Sequence, residues 1–175
     1  LIQRNYIVLH ANALTKNNRT IICLGDSGMG KSTLAYSLMS KGWELLSDDL
    51  VALSNDLYVL PGIPRIKLWD DAINFYGINK DKLNRVRHDM KKYQLCGVTV
   101  NKSKIKKQLS AVYILCSKEN KEVKKEIKGD KLKFFNVISN IYRPLYVKGF
   151  SKEINFFKKI AELIKITPIY KLSLN

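Results

Sequence analysis

Short apolar stretches that end at turn residues dominate the first half of the chain. The stretch from Asn5 to Leu14 is largely apolar and is interrupted by His10. An Asn-Asn-Arg turn follows, and the β-branched run 20–24 then ends at Gly25. Runs of this length that stop at glycine are typical of strands buried on both faces. We therefore predict two neighbouring strands in this part of the chain.

The next stretch changes to helical spacing. Residues 31–41 place apolar side chains three or four positions apart, and Gly42 follows as a residue that ends helices. Short extended runs then lie at 44–47 and 50–53, on either side of the pair Asp48-Asp49. The pattern predicts a helix that is followed by two short strands.

The rest of the chain continues this alternation. The helix predicted last is the most amphipathic, with Ile154, Phe157, Ile160, Ala161 and Ile164 on one face. Strands that alternate with helices indicate an α/β fold with a mixed sheet, and 175 residues suit a single domain, 1–175. The remaining predicted elements are a turn towards a helix at 66–74, a substrate lid or disordered segment at 77–108, a strand at 109–116, helices at 133–142 and 153–164, and a strand at 169–174.

Charge is distributed unevenly along the chain. Of the net charge of +16, residues 1–87 carry +3 and residues 88–175 carry +13. Lysine supplies 19 of the 20 positive side chains in the second half, whereas sites that read bases or phosphates usually favour the planar fork of arginine. We therefore interpret these lysines chiefly as solvated surface. An acidic protein or peptide partner is the alternative, and nucleic acid is the least favoured one.

The cysteines and the hydropathy restrict the cellular setting. Cys23, Cys96 and Cys116 show no C-x-x-C spacing, and the chain has only two histidines. This pattern argues against a zinc site or a disulfide framework and fits the reducing cytoplasm. No apolar run reaches the roughly 18 residues of a membrane span, so we expect no membrane partner.

One segment matches a phosphate-binding signature at every fixed position. It fits G-x-x-x-x-G-K-[ST], follows a predicted buried strand and precedes a predicted helix. Glycines let backbone N–H groups close around phosphate oxygens, and the helix N-terminus adds partial positive charge. In such loops the lysine reaches the β- and γ-phosphates, and the serine hydroxyl ligates Mg²⁺. We therefore expect ATP and Mg²⁺ to be bound by Gly25, Asp26, Ser27, Gly28, Met29, Gly30, Lys31, Ser32 and Thr33.

Two adjacent carboxylates form the second candidate feature. Asp48-Asp49 begins 17 residues beyond Lys31, so one helix and a return strand bring the pair beside the loop, at the carboxyl end of a strand. One carboxylate can hold Mg²⁺ and the other can accept the proton of an attacking hydroxyl. A turn or a helix cap is the alternative. His10 is either a hydrogen-bonded core residue or a partner that orients a catalytic carboxylate.

Basic and aromatic residues further along the chain are weaker candidates. Arg65 and Lys67 follow the prolines of 61–64 and are either contacts for a transferred phosphate or a substrate carboxylate, or part of an ordinary basic strand. We predict Trp69 in the core rather than as a platform for a base. Arg143 is either a second phosphate contact or a surface residue.

Several nucleotide-binding classes lack their signatures here. Asn79-Lys80 and Asn101-Lys102 do not continue into the N-K-x-D motif that guanine recognition requires, and the transporter-ATPase run L-S-G-G-Q does not occur. Nucleoside-monophosphate kinases use several arginines in a lid, and six arginines in the whole chain give that interpretation little support.

Three segments together resemble the catalytic domain of the HPr serine kinase/phosphorylase family. They are Leu9-His10-Ala11, GDSGMGKSTLA at 25–35 and KGWELLSDDLVAL at 41–53. The resemblance implies a P-loop fold of the phosphoenolpyruvate-carboxykinase type, a helix after the phosphate loop and ATP-dependent phosphorylation of a serine. It is strong over 7–70, loose over 109–175 and weak between 77 and 108.

The resemblance also implies residue roles. Asp48 looks like the general base, and His10 like the family histidine beside it. Asp49 looks like either a metal-side residue that acts with Ser32 or a neighbour of Asp48 in its hydrogen-bond network. The family's Glu-Ile-Arg-Gly-Leu-Gly stretch, implicated in the phosphorylase reaction, does not occur in this chain. Residues 61–69 instead resemble small HPr-kinase-like proteins, some of which phosphorylate lasso-peptide precursors on a C-terminal serine. HPr as substrate, the phosphorylase activity and the family's hexamer are therefore not carried over.

The leading hypothesis is an ATP-dependent serine kinase with Asp48, His10, Asp49 and Arg65 at its centre. Its partner would be a peptide or small protein that carries the acceptor serine, and a homo-oligomer stays open. The alternatives are a nucleotide-binding regulatory P-loop module without transfer activity, HPr kinase proper, and a nucleic-acid-binding ATPase.

Overall fold

The computed structural model describes residues 1, 4–63, 65–96, 105–117, 123–145 and 153–174. Within these ranges strands and helices alternate along the chain, as the sequence pattern predicts. The strands are β1 (Ile7–Leu9), β2 (Ala11–Lys16), β3 (Arg19–Leu24), β4 (Glu44–Ser47), β5 (Val51–Leu53), β6 (Tyr58–Val59), β7 (Arg65–Trp69), β8 (Asn84–Arg85), β9 (Lys92–Cys96), β10 (Lys107–Gln108), β11 (Ala111–Cys116), β12 (Lys124–Glu126) and β13 (Ile169–Ser173). The helices are α1 (Lys31–Ser40), α2 (Asp70–Phe75), α3 (Asp130–Ile138) and α4 (Glu153–Ile166).

A six-stranded mixed sheet forms the centre of the fold, with strand order β12-β13-β11-β3-β2-β4. Strands β13, β11 and β3 run parallel, whereas β12, β2 and β4 pair antiparallel with their neighbours. Strand β3 is buried on both faces, with Ile22 and Leu24 on one side and Cys23 on the other. The α/β class with a mixed sheet is therefore confirmed. So are the predicted strands of this sheet, at 20–24, 44–47, 109–116 and 169–174.

Hydrophobic clusters cover both faces of this sheet. One cluster joins β3 and β11 to α3, α4 and the smaller sheet β1-β5-β6-β10. The other joins Leu14 and Leu45 to α1, α2, β7 and β9. Leu45 and Leu46, neighbours in β4, belong to opposite clusters, as the alternation of a strand requires. The sheet thus separates two apolar layers.

The segment around 66–96 differs from its prediction. Strands β7, β9 and β8 form an antiparallel sheet, and β7 alternates buried Ile66 and Leu68 with partly exposed neighbours. An alternation of two residues is typical of a strand. The prediction that 66–74 turns towards a helix is therefore wrong for residues 66–69, and the helix α2 begins only at Asp70. In 77–108, predicted to be a lid or disordered, the structure forms β8, β9 and β10. Residues 97–104 of it, like Pro64, lie outside the described residues.

The helix face predicted in the last third of the chain is rotated. Helix α4 buries Phe156, Ile160, Leu163 and Ile164, whereas Ile154 is 73% exposed and Phe157 is 41% exposed. The prediction is wrong for Ile154 and Phe157, because α4 contacts α3 and β1 and places the stripe with Phe156 and Leu163 in the apolar cluster. Helix α3 begins at Asp130 rather than at 133. Among the described residues, no helix is long and apolar enough to cross a membrane.

Candidate functional site

A glycine-rich loop of residues 25–30 connects the buried strand β3 to α1. Gly25, Gly28 and Gly30 have positive φ angles of 145°, 89° and 81°, which side chains with a Cβ rarely adopt. Gly30 is the N-cap of α1, and no side chain caps the helix there. The first backbone N–H groups of α1 are therefore available to an anion.

The loop is fixed at its base by Lys31 and by two buried asparagines. Lys31 Nζ donates to the carbonyl oxygens of Gly25 and Asp26, at 2.6 and 2.9 Å. Asn140 Oδ1 accepts from the Gly25 N–H at 3.0 Å, and Asn12 Nδ2 donates to the Lys31 carbonyl at 2.5 Å. Burial lowers the pKa of Lys31, although the neighbouring carboxylates oppose that shift. These contacts hold the loop in one shape.

Asp48 follows the last residue of β4 and lies against the first turn of α1. Because β4 and β3 both pair antiparallel with β2, their carboxyl ends meet at one edge of the sheet. One Asp48 oxygen accepts from Ser32 Oγ at 3.0 Å, and the other accepts from the Lys67 backbone N–H at 3.0 Å. Burial, together with the charge of Asp49, raises the pKa of the Asp48 carboxyl despite these bonds. Asp48 is therefore a stronger base than an ordinary aspartate.

Asp49 differs from its neighbour in both backbone and charge. Its φ of 68° lies in the left-handed region, and its carboxylate forms an ion pair with the Lys67 ammonium. Burial favours the neutral acid, but the Lys67 bond and charge outweigh it and lower the pKa of Asp49. The two aspartates thus have pKa values shifted in opposite directions, an arrangement that separates a proton acceptor from a permanent anion.

His10 lies at the point where the chain leaves one sheet for another. Strand β1 belongs to the smaller sheet and β2 to the six-stranded sheet, and the His10 N–H donates to the Asn140 carbonyl at 2.8 Å. Burial and the positive charge of Lys31 lower the pKa of His10, while Asp49 opposes this shift. The imidazole is therefore neutral near pH 7.

Two cavities meet at this edge of the sheet. A small one of about 70 Å³ lies against the glycine-rich loop, and a larger cleft of about 610 Å³ lies beside Asp48. His10, Asp49 and Lys67 line both of them. We call the first the loop cavity and the second the large cleft. The two cavities are therefore adjacent at these shared residues.

The structure brings most of the predicted site residues together. Arg65 lines the large cleft, where it donates to Gln94 Oε1 at 3.2 Å. Gly25, Asp26 and Met29 belong to the loop but do not line its cavity, and Asp26 is exposed. The predicted residues that do line the loop cavity are Ser27, Gly28, Gly30, Lys31, Ser32, Thr33, His10 and Asp49.

Two of the weaker candidates have clear positions. Trp69, predicted in the core, is 42% exposed and lines the loop cavity, so that prediction is wrong. It occupies the last position of an alternating strand, where the side chain points away from the apolar cluster. Arg143 is exposed and lies 5.2 Å from the ring of Tyr142, which lines the large cleft.

Sequence reasoning missed three residues of the site. Asn12 is a second polar residue in the apolar stretch of 5–14, and that exception was a usable signal. Lys92 starts a strand in which polar and apolar residues alternate over 92–96. This alternation predicts that the Lys92 side chain points away from the core, but it does not predict which residues lie beside it. Asn140 has no local signal, because it reaches the loop from 115 residues away.

Residues that fit a magnesium ion lie beside the loop cavity. The Ser32 hydroxyl and the carboxylates of Asp48 and Asp49 are hard oxygen donors, which Mg²⁺ prefers. Within the described ranges, no three His, Cys, Asp or Glu side chains group closely enough to hold a metal by themselves. This donor set suits an ion that nucleotide phosphates help to coordinate.

Replacing Asn140 with Ala should weaken the base of the loop. The Gly25 N–H is buried and would lose its acceptor, which costs about 1–3 kcal/mol for an unsatisfied buried donor. Urea unfolding measures the loss. Asn136→Ala is the matched control, because the Asn136 side chain donates only to Leu132 in its own helix. Equal stability of the two variants would contradict the role of Asn140.

Replacing Lys67 with Met should destabilise the fold in a pH-dependent way. The folded-state pKa of Asp49 lies below the ordinary value of 3.8, so the ion pair contributes above that pH and is lost as the pH falls through the lowered pKa. We expect a loss of about 1 kcal/mol at pH 7, because the pair is partly exposed. The difference in unfolding free energy between Lys67→Met and the wild type should vanish at a pH below the lowered pKa of Asp49.

Urea unfolding at pH 7 and at acid pH tests this dependence. Lys128→Met, at an exposed position, serves as the control. A destabilisation by Lys67→Met that is the same at both pH values would assign the loss to packing instead of the ion pair.

Comparison with known proteins adds a distant structural likeness. No protein-family model matches the chain, and no curated protein matches it. Among solved structures, the chain is similar to the Hpr(Ser) kinase/phosphatase from Coxiella burnetii, with a TM-score of 0.44 and 16% sequence identity. The match covers 87% of this chain and 97% of that chain. It is a likeness between distant structures and assigns no activity.

Proposed function

We propose that the protein is an ATP- and Mg²⁺-dependent kinase that transfers the γ-phosphate to a serine hydroxyl of a peptide or small protein. One observation carries the proposal: the loop cavity and the large cleft meet at His10, Asp49 and Lys67. A phosphate donor in the first and an acceptor in the second would have their reacting atoms at this junction. Such positioning is a major part of catalysis by kinases.

The loop cavity suits the phosphates of a nucleotide. Uncapped N–H groups of α1 and the positive-φ glycines surround it, and its lining includes three lysines but one carboxylate. Mg²⁺, when bound with the nucleotide at Ser32 and Asp49, supplies charge neutralisation on the phosphate oxygens. Lys31 reaches the β- and γ-phosphates from the base of the loop.

The large cleft suits the acceptor. Its wall combines apolar side chains such as Leu50, Leu60 and Ile63 with the cation Arg65, so an extended peptide finds both packing and a charge partner there. Asp48 lines this cleft, and its raised pKa favours proton acceptance. The serine O–H proton passes to Asp48 as the oxygen attacks the γ-phosphorus, the bond to the β-phosphate oxygen breaks, and ADP leaves.

Phosphotransfer to defined peptides tests the proposal. The protein is incubated with Mg²⁺, γ-labelled ATP and a panel of peptides that carry internal or C-terminal serines, each paired with its Ser→Ala version. We expect label on at least one serine peptide and none on its Ser→Ala partner, with phosphoserine located by mass spectrometry. Binding of ATP without label on any hydroxyl would favour the regulatory module and overturn the kinase.

A further inference from the structure

Lys92 enters the loop cavity from a sheet that is separate from the glycine-rich loop. It is the first residue of β9 and pairs directly with Trp69 of β7. In both strands the alternate residues are buried in the apolar cluster, among them Leu68 and Tyr93. The side chains of Lys92 and Trp69 therefore share the opposite face, and both line the loop cavity.

The indole ring of Trp69 holds the Lys92 ammonium. The Lys92 Nζ lies 5.5 Å from the centroid of the Trp69 ring, within the range of a cation–π contact. Such a contact restricts the side chain without neutralising its charge. Trp69 is partly exposed for the same reason, because its ring forms a wall of the cavity and is not packed into the core.

Among the described residues, Lys92 is the cation of the loop cavity that has neither an anionic partner nor a hydrogen-bond acceptor. Lys31 is bonded to the carbonyl oxygens at the base of the loop, and Lys67 is paired with Asp49. In the part of the chain that the structure describes, Lys92 forms no ion pair. A partly buried ammonium with no counter-charge favours binding of an anion in the cavity.

The position of Lys92 indicates which part of an anion it would meet. Lys67 lies on the same face of β7 as Trp69, two positions earlier, and it lines both the loop cavity and the large cleft. Lys92, directly opposite Trp69, therefore lies on the side of the loop cavity that is next to Lys67 and the large cleft, whereas Lys31 is bonded at the base of the loop. A polyphosphate that runs from the base towards the cleft presents its last group to Lys92.

We propose that Lys92 is a second phosphate-binding residue, which contacts the terminal phosphoryl group of a nucleoside triphosphate and makes the site prefer triphosphate to diphosphate. The proposal rests on the proposed function for the nucleotide itself. The contact places positive charge on the group that is transferred, where charge develops as the bond to the leaving phosphate breaks. A cation supplied by the chain itself can act there in the way that arginine fingers do.

Binding of Mg·ATP and Mg·ADP to Lys92→Met tests the proposal. The affinity for Mg·ATP should fall roughly tenfold, as expected for the loss of one charge-assisted bond, whereas the affinity for Mg·ADP should change less than about twofold. Lys91→Met is the matched control, because Lys91 carries the same charge at the preceding position, is exposed and does not line the cavity. Lys92→Arg should keep the preference for triphosphate.

Fluorescence of Trp69 provides a readout that does not depend on activity. Trp43 and Trp69 are the two tryptophans of the chain, so a Trp43→Phe background leaves emission from Trp69 alone. Mg·ATP should change this emission more than Mg·ADP does, because only the triphosphate draws the ammonium from the ring. The difference should disappear in Lys92→Met and persist in Lys91→Met.

The outcomes separate this proposal from the proposed function. If the wild-type protein phosphorylates serine but Lys92→Met binds ATP and ADP as Lys91→Met does, the role of Lys92 is overturned and the kinase stands. If the ATP preference depends on Lys92 but no serine is labelled, the phosphate contact is supported and the kinase is overturned. A wild-type protein that binds neither nucleotide overturns both.

Discussion

Asp48→Asn should lower phosphotransfer by roughly 10²–10⁴-fold, the usual contribution of a general base. The amide has nearly the same shape as the carboxylate but cannot accept the serine proton. Both existing contacts can persist, because the Lys67 N–H can still donate to the remaining oxygen, and the Ser32 hydroxyl can reverse and accept from the new NH₂ group. The loss would therefore reflect chemistry and not misfolding.

Stability should change in the opposite direction from activity. The pKa of Asp48 is raised above the ordinary value of 3.8, so the fold favours the neutral acid and loses stability as the pH rises from 3.8 through the raised pKa. At pH 7 the buried charge therefore opposes folding, and Asn removes it. We expect a melting temperature of Asp48→Asn at pH 7 that is equal to or above that of the wild type.

The pH profile provides a further check on Asp48. In the wild type, kcat should rise with pH through the raised pKa of Asp48, and this acid limb should be missing from the residual activity of Asp48→Asn. Asp56→Asn is the matched control, since Asp56 is exposed and pairs only with Lys106. Full transfer by Asp48→Asn would remove the assignment of the base, and loss of both activity and melting temperature would indicate a structural role.

The parts of the site that were predictable are the parts encoded by local spacing. The glycines of 25–30 and the strand–loop–helix context are contiguous in the chain, so the loop and its flanking elements follow from a short pattern. The position of Asp48-Asp49 needed only one helix and one return strand. Both features depend on few contacts between distant parts of the chain, and in the structure the glycine-rich loop and the aspartate pair lie together.

The features that the sequence did not predict depend on which strands pair and which helix faces pack against the sheet. The alternation of β7 is present in the sequence, and a basic strand was one alternative for Arg65 and Lys67, but β7 passes into α2 at Asp70 with no turn residue between them that would mark the boundary. Trp69 is exposed because register pairs it with Lys92, and no local pattern specifies that pairing. The buried face of α4 likewise depends on its docking partner, not on its own periodicity.

Lys31→Met should weaken nucleotide binding more than any other single change to the loop. The ammonium holds the carbonyl oxygens of Gly25 and Asp26, so its removal deletes a phosphate contact and leaves the Gly25 carbonyl without this donor, whereas the Asp26 carbonyl keeps the Met29 N–H. We expect ATP affinity to fall by roughly 10²-fold, the effect of losing a charge-assisted bond together with the loop geometry. Lys31→Arg should not restore it, since the planar fork of a guanidinium does not replace a point charge in this enclosed position.

The opposite end of the same helix provides the control for Lys31. Lys41 is the C-cap of α1 and is exposed, so Lys41→Met makes the same change in charge and side-chain type ten residues away. Isothermal titration with Mg·ATP should show wild-type affinity for Lys41→Met and an affinity roughly 10²-fold lower for Lys31→Met. If Lys31→Met bound ATP normally, the phosphates would have to lie outside the loop. The contact between the two cavities at His10 and Asp49 would then not explain phosphotransfer, because the phosphate donor would not be in the loop cavity.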